Sequence, residues 1–289
     1  MVGSALAPFL SGAGHDVCRL VRSAGLQGST RWNPDDGTID RAGIEGCDAV
    51  VHLAGENIAG GRWTAARKAR IRDSRVRGTR FLSETLAGMA RPPRVLVSAS
   101  AIGYYGDRGN ELLFEGSGTG TGFLPDVCRQ WEVATDPAMR KGIRVVQIRI
   151  GVVLSSKGGA LGKMLLPFKM GVGGKVGSGE QYMSWITLSD LCAVILHCIE
   201  TETMHGPVNA VSPVPVTNLE FTRTLGRVLS RPTVFPLPGF AARLVFGEMA
   251  DGLLLASARV EPAKLLAAGF SFQHRDLESA LRVVLSIPA

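Results

Sequence analysis

Apolar runs of strand length alternate with helical patterns through the first half of the chain. The runs lie at 48–55, 94–100 and 143–149, and the stretches between them have helical spacing. Near-continuous apolar strands separated by helices are typical of a parallel sheet covered on both faces. In such a sheet, ligands bind beyond the carboxyl ends of the strands. The pattern therefore predicts an α/β protein with a doubly wound parallel sheet.

The chain begins with a helical pattern rather than with a strand. Val2, Leu6 and Phe9 recur at helical spacing, and a glycine-rich stop follows at 12–14. Residues 17–21 are then typical of a buried strand. Because a helix followed by a parallel strand is the second part of a βαβ unit, we expect a strand and a turn upstream of Val2.

Composition restricts the class of protein. Hydrophobic residues make up 45% and charged residues 20%, as in soluble globular proteins. No apolar run has the length of a bilayer span, and no cationic leader precedes the first apolar stretch. The five cysteines lack CxxC spacing, which favours free buried thiols in a reducing cytosol. These features predict a cytoplasmic protein without a membrane segment.

A metal site is the alternative interpretation of one cysteine and histidine cluster. Cys192, His197, Cys198 and His205 are close in sequence, but their spacing fits no common ligand pattern. Packing in the core is therefore favoured, and we predict no metal.

The net charge of +7 is concentrated in one segment. Residues 62–80 carry seven arginines, one lysine and one aspartate, so the rest of the chain is neutral overall. A basic helix face can bind nucleic acid through its phosphates. No aromatic interleaving or nucleic-acid motif accompanies it, which favours a solvated helix face with one or two arginines turned inward.

The amino-acid composition of the chain changes beyond Gly151. Residues 157–179 are rich in glycine, which predicts loops rather than a packed core. A phosphate-binding loop requires GxxxxGK followed by Ser or Thr, whereas Lys163 follows a shorter spacing and precedes Met164. We therefore interpret the second half as a smaller lobe that closes over the ligand edge of the sheet.

Several motifs follow the order found in extended short-chain dehydrogenases/reductases. They are Leu53-Ala54-Gly55, Ser98-Ala99-Ser100 before Tyr104-Tyr105-Gly106, and the segment 177–181 before Trp185-Ile186 and Ser189-Asp190-Leu191. More narrowly, the chain resembles the epimerase-family branch related to NAD-dependent epimerase/dehydratases. The resemblance implies a Rossmann-type NADP(H)-binding domain at 1–155 and a smaller C-terminal substrate-binding lobe at 156–289. It also implies a family extension from about residue 236.

The resemblance also bears on the start of the chain. Family members begin with a strand and a Gly-rich turn just before the stretch that corresponds to VGSAL, and only the last glycine of that turn has a counterpart here, Gly3. We expect that about ten residues of the family pattern lie upstream of Met1.

The cofactor prediction depends on Arg22. It lies 19 residues after Gly3, just past the second strand of the unit, where an arginine accommodates the 2′-phosphate of NADP. An ordinary surface arginine is the alternative. The resemblance places Leu53, Ala54 and Gly55 beneath the adenine ribose and pyrophosphate, and Arg75 within reach of the cofactor. The predicted NADP(H)-binding residues are Gly3, Val21, Arg22, Leu53, Ala54, Gly55 and Arg75.

The usual catalytic pair of the extended family, YxxxK, is missing. The three tyrosines, Tyr104, Tyr105 and Tyr182, have no lysine four residues later. Leu124 and Cys128 occupy the expected positions when the following acid, Glu132, is aligned with the family. Neither side chain does ordinary proton chemistry.

Three hydroxyl groups remain as catalytic candidates. Ser100, at the end of a strand, is the best-placed hydroxyl to polarise a substrate carbonyl, although it could equally cap the next turn. Tyr104 or Tyr105 could deliver a proton from the same loop, or either ring could simply pack. Glu132 is a weaker candidate for a base.

The substrate is a small molecule that the sequence does not name. Nucleotide-sugar enzymes often carry GxGxQxR, with the arginine on the substrate diphosphate, but Met183 follows the tyrosine here. The first hypothesis is an NADP(H)-dependent oxidoreductase or epimerase acting on a small carbonyl or hydroxyl compound. The alternative is a non-catalytic NADP(H)-binding sensor or regulatory protein. A homodimer is compatible with either.

Overall fold

The computed structural model describes residues 1–22 and 29–287. Its strands are β1 (Arg19–Val21), β2 (Ser29–Asn33), β3 (Thr38–Ile39), β4 (Ala49–His52), β5 (Val95–Ala101), β6 (Leu112–Leu113), β7 (Arg144–Ile150), β8 (Val152–Leu154), β9 (Tyr182–Met183), β10 (Trp185–Thr187), β11 (Gly206–Ala210), β12 (Val216–Thr217) and β13 (Arg259–Val260). Its helices are α1 (Val2–Gly12), α2 (Ala65–Ala87), α3 (Phe123–Val133), α4 (Asp136–Arg140), α5 (Gly159–Lys169), α6 (Leu188–Glu200), α7 (Asn218–Leu229), α8 (Gly239–Phe246), α9 (Glu248–Ala250), α10 (Ala263–Ala267) and α11 (Leu277–Leu285).

A parallel sheet with strand order β11-β7-β5-β4 forms the centre of the protein. One face packs against α1 and α6, where Leu6 and Ile195 are buried against Val97. The other face packs against α2 and α4, where Leu82 is buried against Leu96. Because both faces are covered, β5 is apolar and buried along almost its whole length. The predicted α/β fold with a doubly wound parallel sheet is confirmed.

The strands nearest the amino terminus form a second, smaller sheet. β1 pairs with β2 in parallel, and β2 pairs with β3 in antiparallel orientation. Within the described residues, no ladder joins β1 to β4. The strand predicted at 17–21 is correspondingly shorter and only partly buried. Cys18 is exposed, so the prediction of a buried thiol is wrong there, whereas Cys128, Cys192 and Cys198 are buried.

Part of the glycine-rich segment 157–179 is a helix rather than the loop that its composition predicts. Residues 159–169 form α5, because Leu161, Leu165 and Phe168 recur at helical spacing and are buried together. The helix packs against α7, and Trp185 lies in the same cluster. Burial of this apolar face outweighs the low helix propensity of glycine.

Residues from the second half of the chain also complete the central sheet. α6 packs in its core, and β11 hydrogen-bonds to β7 from Gly206↔Val146 to Ala210↔Ile150. The division at residue 155 stays a prediction. Across residues 1–22 and 29–287, no helix combines the length and the apolarity that crossing a membrane requires.

Candidate functional site

The loop that follows β4 places Gly55 beside Arg75 of α2, and both are predicted cofactor-binding residues. Leu53, Ala54 and Gly55 directly follow the last residue of β4 at the carboxyl end of the sheet. A Cβ added to Gly55 would lie 3.2 Å from Cζ of Arg75. A larger residue at 55 would therefore displace the guanidinium. The backbone at this edge of the sheet is open to close approach only because residue 55 is a glycine.

Arg75 is one of the arginines of α2 that turn inward at this edge. Its Nη1 donates to the carbonyl oxygen of Ile71 at 3.1 Å, and its Cζ lies 5.1 Å from the centre of the Trp131 ring. Burial lowers the pKa of Arg75 from its ordinary value, but a guanidinium keeps its charge in proteins. The structure thus places a charged group beside Gly55.

Gly3 lies in the first turn of α1. The first N–H groups of a helix have no partner within the helix, and with the helix dipole they attract anions. A Cβ added to Gly3 would meet no described atom within 4 Å. The position therefore offers backbone donors, but sterics alone do not require glycine there.

Arg22 follows Val21, the last residue of β1, and is exposed. Its Nη1 lies 3.4 Å from Oδ2 of Asp35, and both side chains are largely in solvent. An exposed pair of this kind contributes little to stability. The guanidinium can therefore exchange Asp35 for a phosphate at low cost.

Ser100, near the end of β5, directs its hydroxyl into the protein. The residue is 2% exposed, and its Oγ donates to Oε1 of Glu132 at 2.7 Å. Glu132 is held in turn by Arg149, whose Nε and Nη2 donate to its two carboxylate oxygens at 2.8 and 2.9 Å. Desolvation disfavours the charged guanidinium, but the bonds to Glu132 outweigh it and raise the pKa of Arg149. The three residues form one buried polar network.

Tyr104 and Tyr105 lie in the 3₁₀ turn after β5 and differ in the surroundings of their hydroxyl groups. Tyr105 is fully buried, and its hydroxyl donates to Asn209 Oδ1 at 2.7 Å and accepts from Arg149 Nη1 at 3.0 Å. Burial raises the pKa of Tyr105. Tyr104 is half-buried, with its ring centre 3.5 Å from Cζ of Arg149. Within residues 1–22 and 29–287, the Tyr104 hydroxyl donates no hydrogen bond.

The positions of the usual tyrosine and lysine are apolar and buried. Leu124 and Cys128 lie on α3 with exposures of 8% and 4%. A Cβ added to Gly103 would lie 3.5 Å from Leu124 Cβ and 3.8 Å from Cys128 Sγ, so both side chains lie next to the end of β5. Burial raises the pKa of Cys128 to about 12, which keeps the thiol protonated.

Sequence reasoning missed Arg149 and Asn209. A charged residue near the end of an apolar strand needs a buried partner, and this signal could have singled out Arg149. Nothing in the sequence pairs Asn209, on β11, with Tyr105, because the two residues are 104 positions apart.

The parallel sheet, the helix N-terminus and the glycine-ended loop after β4 are the features of a Rossmann-type nucleotide-binding fold. Residues 1–124 match the NAD dependent epimerase/dehydratase family, and residues 237–284 match a domain of unknown function (DUF1731). An epimerase family protein of Mycobacterium bovis is 44% identical over 291 residues, which cover 100% of this chain and 95% of that protein.

Two solved structures extend the comparison. The structure of the human epimerase family protein SDR39U1, crystallised with NADPH, matches with a TM-score of 0.90 and 33% sequence identity. The match covers 99% of this chain and 96% of the human chain. A nucleoside-diphosphate sugar epimerase from Corynebacterium glutamicum has a TM-score of 0.82 at 37% identity, covering 99% of this chain and 56% of that chain. The chain belongs to the NAD dependent epimerase/dehydratase family.

Proposed function

We propose that the protein is an NADP(H)-dependent oxidoreductase or epimerase that binds its cofactor across the carboxyl ends of the parallel sheet and acts on a small carbonyl or hydroxyl compound. The close approach of Gly55 to Arg75 after β4 is the observation that carries the proposal. The NADPH in the crystal structure of the human relative supports it. We also propose the division into a nucleotide-binding part, 1–155, and a substrate-binding part, 156–289.

The residues at this edge fit a phosphorylated dinucleotide. The unpaired N–H groups in the first turn of α1, at Gly3, suit a pyrophosphate. Ala54 and Gly55, the small residues that follow Leu53 in this loop, leave room for the backbone to approach the ligand. Arg22, just past Val21, would bind the 2′-phosphate, and Arg75 would add a second positive charge beside Gly55.

The catalytic assignment distinguishes the three candidate hydroxyl groups. When bound, NADPH would supply a hydride for a substrate carbonyl carbon and would be oxidised to NADP⁺, and the carbonyl oxygen would need one proton from the protein. Tyr104 is the candidate donor of that proton, because its hydroxyl is not hydrogen-bonded within the described residues. Ser100 would polarise the oxygen by turning its hydroxyl from Glu132. Tyr105 would hold Arg149 beneath the Tyr104 ring.

A non-catalytic NADP(H)-binding protein is the second candidate. The observation that favours it is the burial of Leu124 and Cys128 where the usual tyrosine and lysine would lie. A sensor or regulatory protein needs the cofactor site but no proton donor.

Cofactor titration tests the proposal. We expect NADPH, followed by its fluorescence, to bind at least about tenfold more tightly than NADH, because one charge-assisted phosphate contact is worth 1.5–3 kcal/mol (about 12- to 160-fold). Arg22→Ala should remove this difference. Arg94→Ala is the matched control, since Arg94 is an exposed arginine paired with Asp48 at the opposite edge of the sheet. Equal affinities in the unaltered protein contradict the assignment, and tight binding without turnover of any carbonyl compound supports the sensor.

A further inference from the structure

Two helices of the second half expose apolar side chains that a folded protein normally buries. Leu166 on α5 and Met170, directly after the helix, are 68% and 67% exposed, although the opposite face of α5 lies in the core. On α8, Phe240 and Leu244 are each 74% exposed. Exposed apolar patches larger than those of an ordinary protein surface mark ligand-binding grooves or interaction sites.

Both helices are held to the same loop, residues 57–63. Lys163 lies on the same face of α5 as Leu166 and Met170, and its Nζ donates to the carbonyl oxygen of Ala59. Arg62 reaches the end of α8, where its Nε donates to the carbonyl oxygen of Val245 at 2.9 Å and its Nη2 donates to that of Leu244. The two exposed apolar faces therefore flank one segment of chain.

The same loop leads back to the candidate site. It begins two residues beyond Gly55 and ends at Trp63, whose ring packs edge-on against Phe123 at 5.1 Å. Leu124, beside the end of β5, lies in the same cluster as Trp63. A Cβ added to Gly252 would lie 3.0 Å from the Trp63 ring and 3.5 Å from Leu124, so the segment 237–284 also borders this point.

The polar segment that would hold a nucleotide diphosphate is engaged within the protein. Met183 is half-buried in the cluster of Trp185 and Phe221. The side-chain amide of Gln181 donates to the carbonyl oxygens of Val176 and Leu254, both at 2.9 Å. A diphosphate bound here would face the thioether of Met183 in place of the arginine guanidinium that would bind its charge.

We infer that the substrate of the proposed enzyme is an apolar carbonyl or hydroxyl compound whose hydrocarbon part lies on the loop 57–63 between α5 and α8. The inference rests on the proposed function. The apolar faces bind the chain of the compound, and the edge at Ser100 and Tyr104 receives its oxygen. Such a compound differs in class from a nucleotide sugar, whose charged diphosphate does not suit the apolar side chains of these two faces.

Straight-chain aldehydes of increasing length provide the test. We expect kcat/KM for NADPH oxidation to rise about threefold or more for each added methylene, because a buried CH₂ contributes about 0.8 kcal/mol. The double variant Phe240→Ser, Leu244→Asn should flatten this dependence and leave NADPH affinity unchanged. Val283→Ser, at a 62% exposed position on α11, is the matched control and should change neither quantity.

Binding of apolar ligands separates this inference from the proposed function. Primary alcohols of increasing length should displace the apolar dye ANS from the cofactor-free protein, with a length dependence that the double variant loses. If this result holds but no aldehyde is reduced, catalysis fails while the apolar site stands. If aldehydes are reduced but kcat/KM does not change with chain length, the inference of an apolar substrate is wrong. It is also wrong if the protein is a dimer that the double variant dissociates, because a second copy would then cover these faces.

Discussion

At the residue scale, the pair of Glu132 and Arg149 joins the end of β7 to α3. Their side chains are 13% and 3% exposed and meet through two hydrogen bonds. Removing one partner of a buried pair leaves an uncompensated charge, which is strongly destabilising. The network also carries the Ser100 hydroxyl and lies under the Tyr104 ring. Its integrity therefore determines the geometry of the candidate site.

We expect Glu132→Gln to lower the free energy of unfolding by about 3 kcal/mol or more, because Arg149 would remain buried and charged without its carboxylate. Urea unfolding followed by circular dichroism measures the change. Asp126→Asn on the same helix is the matched control, since Asp126 and Arg129 form an exposed pair. The control should change stability by less than about 1 kcal/mol. Equal effects of the two substitutions would contradict a buried role for Glu132.

Part of the candidate site was predictable residue by residue. The family motifs predicted that Gly55 and Arg75 bind one cofactor, and the structure places the two residues side by side, since a Cβ added to Gly55 would lie 3.2 Å from Cζ of Arg75. The cofactor contacts themselves stay a prediction. The direction of the Ser100 hydroxyl was not predictable, because it depends on Glu132 of α3 meeting Arg149 of β7. The local sequence pattern identifies the residues at the end of a strand. The direction of their side chains depends on partners that are distant in sequence.

At the element scale, two segments show where pattern reasoning fails. The glycine content of 157–179 predicted loops, but residues 159–169 form α5 because their apolar residues recur at helical spacing. The apolar content of 17–21 predicted a buried strand, but β1 has only β2 beside it within the described residues and stays partly exposed. Burial in a sheet depends on neighbouring strands, which a local pattern does not contain.

The contact between β4 and β2 gives stability a pH dependence. His52 is fully buried, and its ring lies edge-on to Trp32 at 5.5 Å. Desolvation by burial lowers the pKa of His52 to about 4. An unfolded histidine titrates at about 6.5, so below that pH the unfolded chain binds a proton that the folded chain does not. The stabilising effect is therefore complete above about pH 6.5 and is lost as pH falls towards 4.

We expect the free energy of unfolding to be about 2 kcal/mol lower at about pH 5 than at about pH 7 because of His52. Denaturant unfolding at the two pH values measures this difference. His52→Phe keeps an apolar ring against Trp32 and should remove most of it. The assignment is wrong if the variant retains the full pH dependence.

At the scale of the whole molecule, the residues that we propose to bind the nucleotide come from separate parts of the fold. Arg22 follows β1 in the small sheet, Gly55 follows β4 in the central sheet, and Gly3 begins α1. A ligand that contacts all three parts links the two sheets. Anything that binds the folded chain and not the unfolded chain stabilises the fold.

NADPH at about 100 times its dissociation constant should therefore raise the free energy of unfolding by about 2.7 kcal/mol. Thermal unfolding with and without NADPH measures the effect. Gly55→Val should abolish it, because the added side chain would collide with Arg75. Gly116→Val is the control, since its Cβ would meet no described atom within 4 Å. An unchanged unfolding temperature in saturating NADPH would contradict the cofactor proposal.

The fold class was predictable for the whole molecule, because alternating strands and helices leave few arrangements that bury both faces of a sheet. The order in which the chain visits the strands of the sheet was less predictable. α6 and β11 return to the central sheet from beyond residue 155, and β13 pairs with β6 across the molecule. These pairings join segments far apart in sequence, so no local window contains them.

One carboxylate oxygen ties the last quarter of the chain to the edge of the sheet. Oε1 of Glu115 accepts from the backbone N–H of Asn209 on β11 and from that of Lys264 at α10, at 3.1 and 3.2 Å. Asn209 also donates through its side chain to the carbonyl oxygen of Glu261. A protein shortened near residue 236 would lose the bonds of Glu261 and Lys264, which connect the carboxyl-terminal segment to Asn209 on β11 and to Glu115. Residues 1–236 are therefore a poor candidate for expression as an independent fragment.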